Sequence, residues 1–188
     1  MNNLRRNRIG TRAADLWSWE IEDFSKMHGP LAVQEYIQEL IRNDPSNVKL
    51  IIDAPRDADP NVWQYEHIRQ FLLELNLLVT QLKGVCTSSS CPVMRVNTES
   101  YRCIVHSDLQ ECCAIDYMIH NLNYATTTLL NTKSYSSRVS IPASSIKSLE
   151  QIVRRLYRFF AHTYFYHREI FDEFESEMYL CSRFTEFV

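Results

Sequence analysis

The chain has 188 residues, 45% hydrophobic side chains and a formal net charge of −3. That is enough apolar material for one folded domain and excludes a globally disordered chain, while the slight acidic balance argues against bulk nucleic-acid binding and confines any basic site to a local patch. No run approaches the roughly 18 apolar residues of a membrane span, and MNNLRRNRIGTR has no leader-like apolar run. These features lead us to expect a soluble intracellular protein, in which paired cysteines more often mean metal than disulfide.

With only three glycines and six prolines among many long apolar side chains, a mainly α fold is expected. Residues 1–30 read as an N-terminal arm packed on the core, and 31–188 as a single domain. In the arm Arg5, Arg6, Arg8 and Arg12 are basic, whereas Leu16, Trp17, Trp19 and Phe24 are apolar without a clean period. Asp15, Glu20, Glu22 and Asp23 follow the arginines at once, which weakens a reading as a basic peptide for acidic partners.

Gly29-Pro30 opens a helix over about Leu31–Asn43, with Val33, Tyr36, Ile37, Leu40 and Ile41 on one face and Pro45 beyond its end. A short link leads to Asp59-Pro60, where Asp59 is placed to cap a helix and Pro60 sits at the first position, where its missing N–H costs nothing. From Pro60 to about Lys83, Tyr65, Ile68, Leu72, Leu75, Val79 and Leu82 step by 3,4,3,4,3, a bundle seam. Gln64, Glu66, Gln70, Glu74 and Gln81 fall largely off that stripe. Gly84 stops the helix. Val93–Val105 reads as a short β-hairpin interrupted at Asn97-Thr98-Glu99-Ser100. A further helix is expected from near Cys113 through Leu129, then a loop over Asn131–Pro142.

Ser144 or Ser145 is expected to cap the last long helix, whose inward residues Ile146, Leu149, Val153, Leu156, Phe160 and Thr163 again step by 3,4,3,4,3. Its stretch VRRLYRFFAHTYFYH, Val153–His167, carries an apolar stripe, three arginines and two histidines, and we expect the chain to be organised around it. Glu169–Val188 reads as one or two short helices.

Two constellations carry chemistry. Cys86-x4-Cys91 and His162-x4-His167 offer two thiolates and two imidazoles, a set that tetrahedral Zn2+ takes. Positions five apart differ by about 140° on a straight helix, so both histidines reach one ion only if the helix kinks or ends between them. On spacing alone two readings stay open: a zinc site, or two free thiols with two unliganded histidines. No HExxH motif is present, and four protein ligands would close the site to hydrolysis. The adjacent Cys112 and Cys113 cannot easily share one ion and read as structural.

The second constellation is Arg154, Arg155 and Arg158, which lie roughly opposite the inward stripe. Three guanidinium forks on one face suit a phosphate, since each can donate bidentately. On composition alone an ordinary solvated face is the weightier reading. Lying off the stripe, these side chains are expected to matter little for stability.

The stretches LRRNRIGT, LAVQEYI, VWQYEHIRQFLLELN, the Cys86–Cys91 loop, AIDY, SRVSI, RRLYRFFAHTYFYHREIFDEFE and LCSRFTEFV together resemble the Mob/phocein family of kinase-associated adaptors, most closely its striatin-associated branch. The resemblance covers almost the whole chain. It implies a Mob-type helical bundle with a small hairpin, one structural Zn2+ held by Cys86, Cys91, His162 and His167, and no enzymatic activity. It implies that Arg154, Arg155 and Arg158 hold a phosphothreonine segment of a Ste20-like Ser/Thr kinase. Implied partners are such kinases and a striatin-type scaffold with its phosphatase. The implied place is the cytoplasm, with peripheral association with Golgi or other internal membranes as a variant.

The alternative is a direct activator of nuclear Dbf2-related kinases, acting through their N-terminal regulatory helices. Activators of that kind carry an acidic residue where this chain has Val62. The striatin-associated branch carries histidine where this chain has Tyr166. Family members also continue beyond the position of Val188, so a surface that their tails cover is expected to be bare here.

Overall fold

A computed structural model describes residues 9–16, 20–131, 133–135 and 137–188. Arg5, Arg6, Arg8, Trp17 and Trp19 lie outside the described residues. Of the arm's other expected anchors, Phe24 lies against Tyr36, ring centroids 5.3 Å apart.

Among the described residues beyond the arm, seven α-helices and one hairpin are present: α1 (Ala32–Asn43), α2 (Val48–Ile52), α3 (Pro60–Leu82), β1 (Arg95–Val96), β2 (Glu99–Ser100), α4 (Ala114–Leu129), α5 (Ala143–Tyr166), α6 (Arg168–Met178) and α7 (Leu180–Phe187). No helix is long and apolar enough to cross a membrane among the described residues.

The axis of the bundle is α3, not the Val153–His167 stretch. α3 packs against α1, α4 and α5 and also meets α6 and α7. The Asp59 carboxylate accepts from the Asn61 and Val62 amides, both at 2.9 Å, satisfying two of the donors that every helix start leaves over. Every residue of the predicted seam is buried, and so are Val62, Trp63, His67, Phe71 and Leu78 on other faces. A helix apolar over so wide an arc belongs in the middle of a bundle.

Two carboxylates that fall off the seam are also inside. Glu66 is buried and accepts from Arg138, with Nε at 2.7 Å and Nη2 also in contact. Glu74 is buried and receives both terminal nitrogens of Arg183, itself 0% exposed. Each carboxylate tolerates burial because an arginine fork accompanies it. The partners lie 72 and 109 positions away.

Three boundaries differ from expectation. The link before Asp59 contains α2, whose five residues are too few to show a period. Asn47 accepts from the Leu50 amide there, Ile51 is buried, and the Trp63 indole N–H donates to the Ile52 carbonyl at 3.0 Å. The N-cap of α5 is Pro142 rather than Ser144 or Ser145. The Ser145 carbonyl instead accepts from the Tyr135 hydroxyl at 3.0 Å. The hairpin pairs Arg95 with Ser100 and Val96 with Glu99, so Glu99 and Ser100 are strand and only Asn97-Thr98 is turn. Asn97 has φ 52°, a left-handed conformation that asparagine tolerates better than most residues.

Candidate metal centre and arginine face

The apolar stripe of α5 faces the core, and the helix must stop where its two histidines diverge. It ends at Tyr166, and His167 leaves the helical region with φ −140°, ψ 52°. This break lets His167 swing back, so the two imidazoles share a site despite their awkward spacing. The thiols come from the other side. Cys86 lies just past the end of α3, with its amide on the Leu82 carbonyl at 2.8 Å. A tight loop closed by Cys91 N–H to the Thr87 carbonyl, 2.8 Å, presents the second thiol.

Cys86 Sγ is 3.6 Å from His162 Nε2, and Cys91 Sγ is 3.4 Å from His167 Nε2. All four ligand atoms lie within 4.8 Å of one another. Bonds of about 2.0–2.3 Å to a tetrahedral zinc give ligand–ligand edges of about 3.3–3.8 Å, so the cluster has the size of a metal site.

The surroundings fit that use. His162 Nδ1 donates to the Arg95 carbonyl at 2.7 Å, which fixes the ring and turns Nε2 toward the thiols, the outer hydrogen bond that metal-bound histidines ordinarily make. Tyr166 stacks on His162 with centroids 4.8 Å apart and donates its hydroxyl to the Asn97 carbonyl at 2.6 Å. Burial lowers the pKa of His162, and so does the neighbouring His167, against an opposing pull from the Arg95 carbonyl; burial alone lowers that of His167. Both therefore favour the neutral form that ligates metals. Burial, and then Cys91, push the Cys86 thiol up to about 12. Its thiolate thus needs a cation beside it, which is what a bound divalent ion supplies.

Arg154, Arg155 and Arg158 follow α5 one to two turns before His162. Arg154 is exposed, while Arg155 and Arg158 are half-buried. The Arg155 guanidinium lies 5.4 Å from the centroid of the Tyr124 ring. That of Arg158 lies 4.1 Å from the Tyr101 ring, and its Nη1 donates to the Tyr117 hydroxyl. The expectation that all three are loose surface groups is thus corrected for two of them, which are built into the contact between α5, α4 and the hairpin. Among the described residues no carboxylate forms an ion pair with any of the three.

Reading the sequence missed one grouping. Cys112 lies with Cys103, His106 and His120 in a second cluster that could hold a metal ion. Its neighbour Cys113 stands apart as the N-cap of α4. The ligands are scattered over a loop and a helix as Cys-x2-His-x5-Cys-x7-His, and only the fold brings them together.

Residues 39–188 match the Mob1/phocein family. A protein of Drosophila melanogaster, MOB kinase activator-like 4, is 50% identical over 186 residues, covering 98% of this chain and 83% of that protein. The MOB-like protein phocein of Caenorhabditis elegans is 43% identical over 186 residues, with the same two coverages of 98% and 83%. The maintenance of ploidy protein mob1 of Schizosaccharomyces pombe is more distant, 28% identical over 144 residues that cover 73% of this chain and 68% of that protein. On the family match and the near full-length identity, the chain is a member of the Mob1/phocein family.

Proposed function

We propose that this chain is a non-enzymatic, zinc-stabilised adaptor that regulates kinases by docking their phosphorylated segments. In this reading Zn2+ is held by Cys86, Cys91, His162 and His167 and fixes the end of α5 against the Cys86–Cys91 loop. The four ligands leave no open position for a reacting water, so the metal's role is structural. Arg154, Arg155 and Arg158 receive a phosphothreonine of a Ste20-like kinase, and a striatin-type scaffold with its phosphatase is the further partner.

The observation that carries the reading is the uncompensated charge on α5. Three guanidinium groups share one face, and no carboxylate among the described residues neutralises them. The chain as a whole is acidic, at −3. Two of the three rest on aromatic rings, which restricts their rotamers before a ligand arrives and lowers the entropy cost of binding. A phosphate offers nearly two negative charges and several acceptor oxygens. Val62 is 1% exposed, which favours a core role for this position over contact with a kinase helix.

Calorimetry tests the reading directly. A phosphorylated kinase-linker peptide should bind and its unphosphorylated form should not. Arg155→Ala should weaken binding by roughly 1.5–3 kcal/mol, the range for a hydrogen bond to a charged group. Arg155→Lys should recover only part of that, because it lacks the planar fork. Equal affinity for the two peptides would return the face to an ordinary solvated surface.

A further inference from the structure

We infer that Cys103, His106, Cys112 and His120 form a second closed zinc site, which organises the loop between the hairpin and α4. This inference is independent of the arginine face.

The four ligand atoms approach one another as a cluster rather than as a chain of hydrogen bonds. His106 Nε2 is 3.1 Å from Cys112 Sγ. His120 Nδ1 is 3.7 Å from both Cys103 Sγ and Cys112 Sγ. All four atoms lie within 4.8 Å of one another. Tetrahedral zinc edges of about 3.3–3.8 Å bracket most of these distances, as they do in the first cluster. The two imidazoles meet edge to face, with centroids 4.8 Å apart and an interplanar angle of 83°. That arrangement lets each ring aim one nitrogen at a common point without the rings colliding.

The donor set selects the metal class. Two thiols and two imidazoles suit zinc and not calcium or magnesium, which take oxygen ligands. When Zn2+ binds, each thiol releases one proton and the two imidazoles bind as neutral ligands. The complex then carries no net charge, which suits a site whose Cys103 is 0% exposed.

The loop supplies a second, separate argument. Residues 104–111 have almost no core of their own: Ile104, Val105 and Leu109 are all exposed. The hydrogen bonds at its base are Cys103 N–H to the Gln110 carbonyl at 2.8 Å and Met94 N–H to the Cys112 carbonyl at 3.2 Å. A loop this poor in buried apolar surface is ordinarily held by a crosslink or a metal. The four converging ligands are where such a tie would sit.

Metal stoichiometry decides the matter. Purified protein, dialysed extensively and analysed by elemental mass spectrometry alongside amino-acid analysis, should hold two zinc ions per chain. His106→Ala, on the partly exposed loop, should reduce this to one, and so should Cys91→Ser through the first cluster. Metal-free protein titrated with Co2+ should develop tetrahedral d–d bands and thiolate-to-cobalt charge transfer until two equivalents are bound. In His106→Ala the signal should saturate at one. Wild-type protein that stops at one equivalent in both measurements would overturn the inference, as would a Cys103–Cys112 disulfide in the mass of the unreduced protein. Because the wild-type counts decide by themselves, a variant that fails to fold does not remove the test.

Discussion

Arg158→Ala separates the two roles of the arginine face, because this residue is the one most deeply committed to the fold. Its guanidinium lies 4.1 Å from the Tyr101 ring centroid and 6.0 Å from that of Tyr117, and it donates to the Tyr117 hydroxyl. Tyr117 is 1% exposed, so a truncated partner leaves its hydroxyl without a ready replacement. Loss of a partly desolvated cation–π contact costs about 0.5–2 kcal/mol. A buried hydroxyl left unsatisfied costs about 1–3 kcal/mol. Together they place Arg158→Ala at roughly 2–4 kcal/mol of destabilisation, or about 5–15 °C in Tm for a chain of this size. The exposed Arg154→Ala should stay within about 0.5 kcal/mol of wild type. Urea unfolding with zinc held in excess reads both values, since fixed free metal keeps its contribution constant. In a Tyr117→Phe background the cost of Arg158→Ala should fall by about 1 kcal/mol, the net worth of the hydrogen bond. Arg158→Ala unfolding together with wild type would refute the argument and return Arg158 to the surface.

Other outcomes follow from the same structure. Cys91→Ser should lower the unfolding midpoint sharply and weaken its dependence on added zinc, because metal bound only by the native state contributes folding free energy; an unchanged midpoint would remove metal from that cluster. Glu74→Ala should cost about 3–5 kcal/mol by stranding the buried Arg183 charge, whereas Glu74→Leu combined with Arg183→Met should be far milder, and a thermal or urea series over the singles and the double measures both. His67 is held neutral by burial and by the positive charge of Arg183, with its pKa brought down to about 3. Because the unfolded chain takes up this proton near pH 6.5 and the folded one does not, stability should fall as pH drops from 6.5 toward 3, by at most about 1.4 kcal/mol per pH unit from this residue. Urea midpoints of wild type and His67→Phe compared at pH 7, 6 and 5 isolate that slope, and parallel profiles would remove His67 as its source.

What the chain disclosed by itself was the periodic part. The seam of α3 and the stripe of α5 repeat every three or four residues; every residue of the seam is buried, and so are Leu149, Leu156, Phe160 and Thr163 of the stripe, with Ile146 and Val153 half-buried. The Cys86/Cys91/His162/His167 set was legible from residue type, and its stereochemical obstacle was visible too; the helix break at His167 that removes the obstacle was not. The burial of Glu66 and Glu74, which fall off the apolar stripe, was not legible, because the arginines that make it tolerable lie across the fold. The Cys103/His106/Cys112/His120 grouping was hidden for a similar reason, since three of its ligands come from a loop without a period. Five residues of α2 show no period, and a helix start at Pro142 competes with two neighbouring serines that look like better caps.

His162, the Arg95 carbonyl, the hairpin, Tyr101, Arg158 and α5 form a closed circuit, because Arg158 and His162 lie one turn apart on the same helix. Free-energy coupling between two sites is reciprocal. If loss of the ion loosens the hairpin and so releases Tyr101 from Arg158, a ligand on the guanidinium groups must in turn tighten the ion's equilibrium binding by the same factor. Affinities measured in chelating buffers would then describe a different molecule from the one present where zinc is buffered.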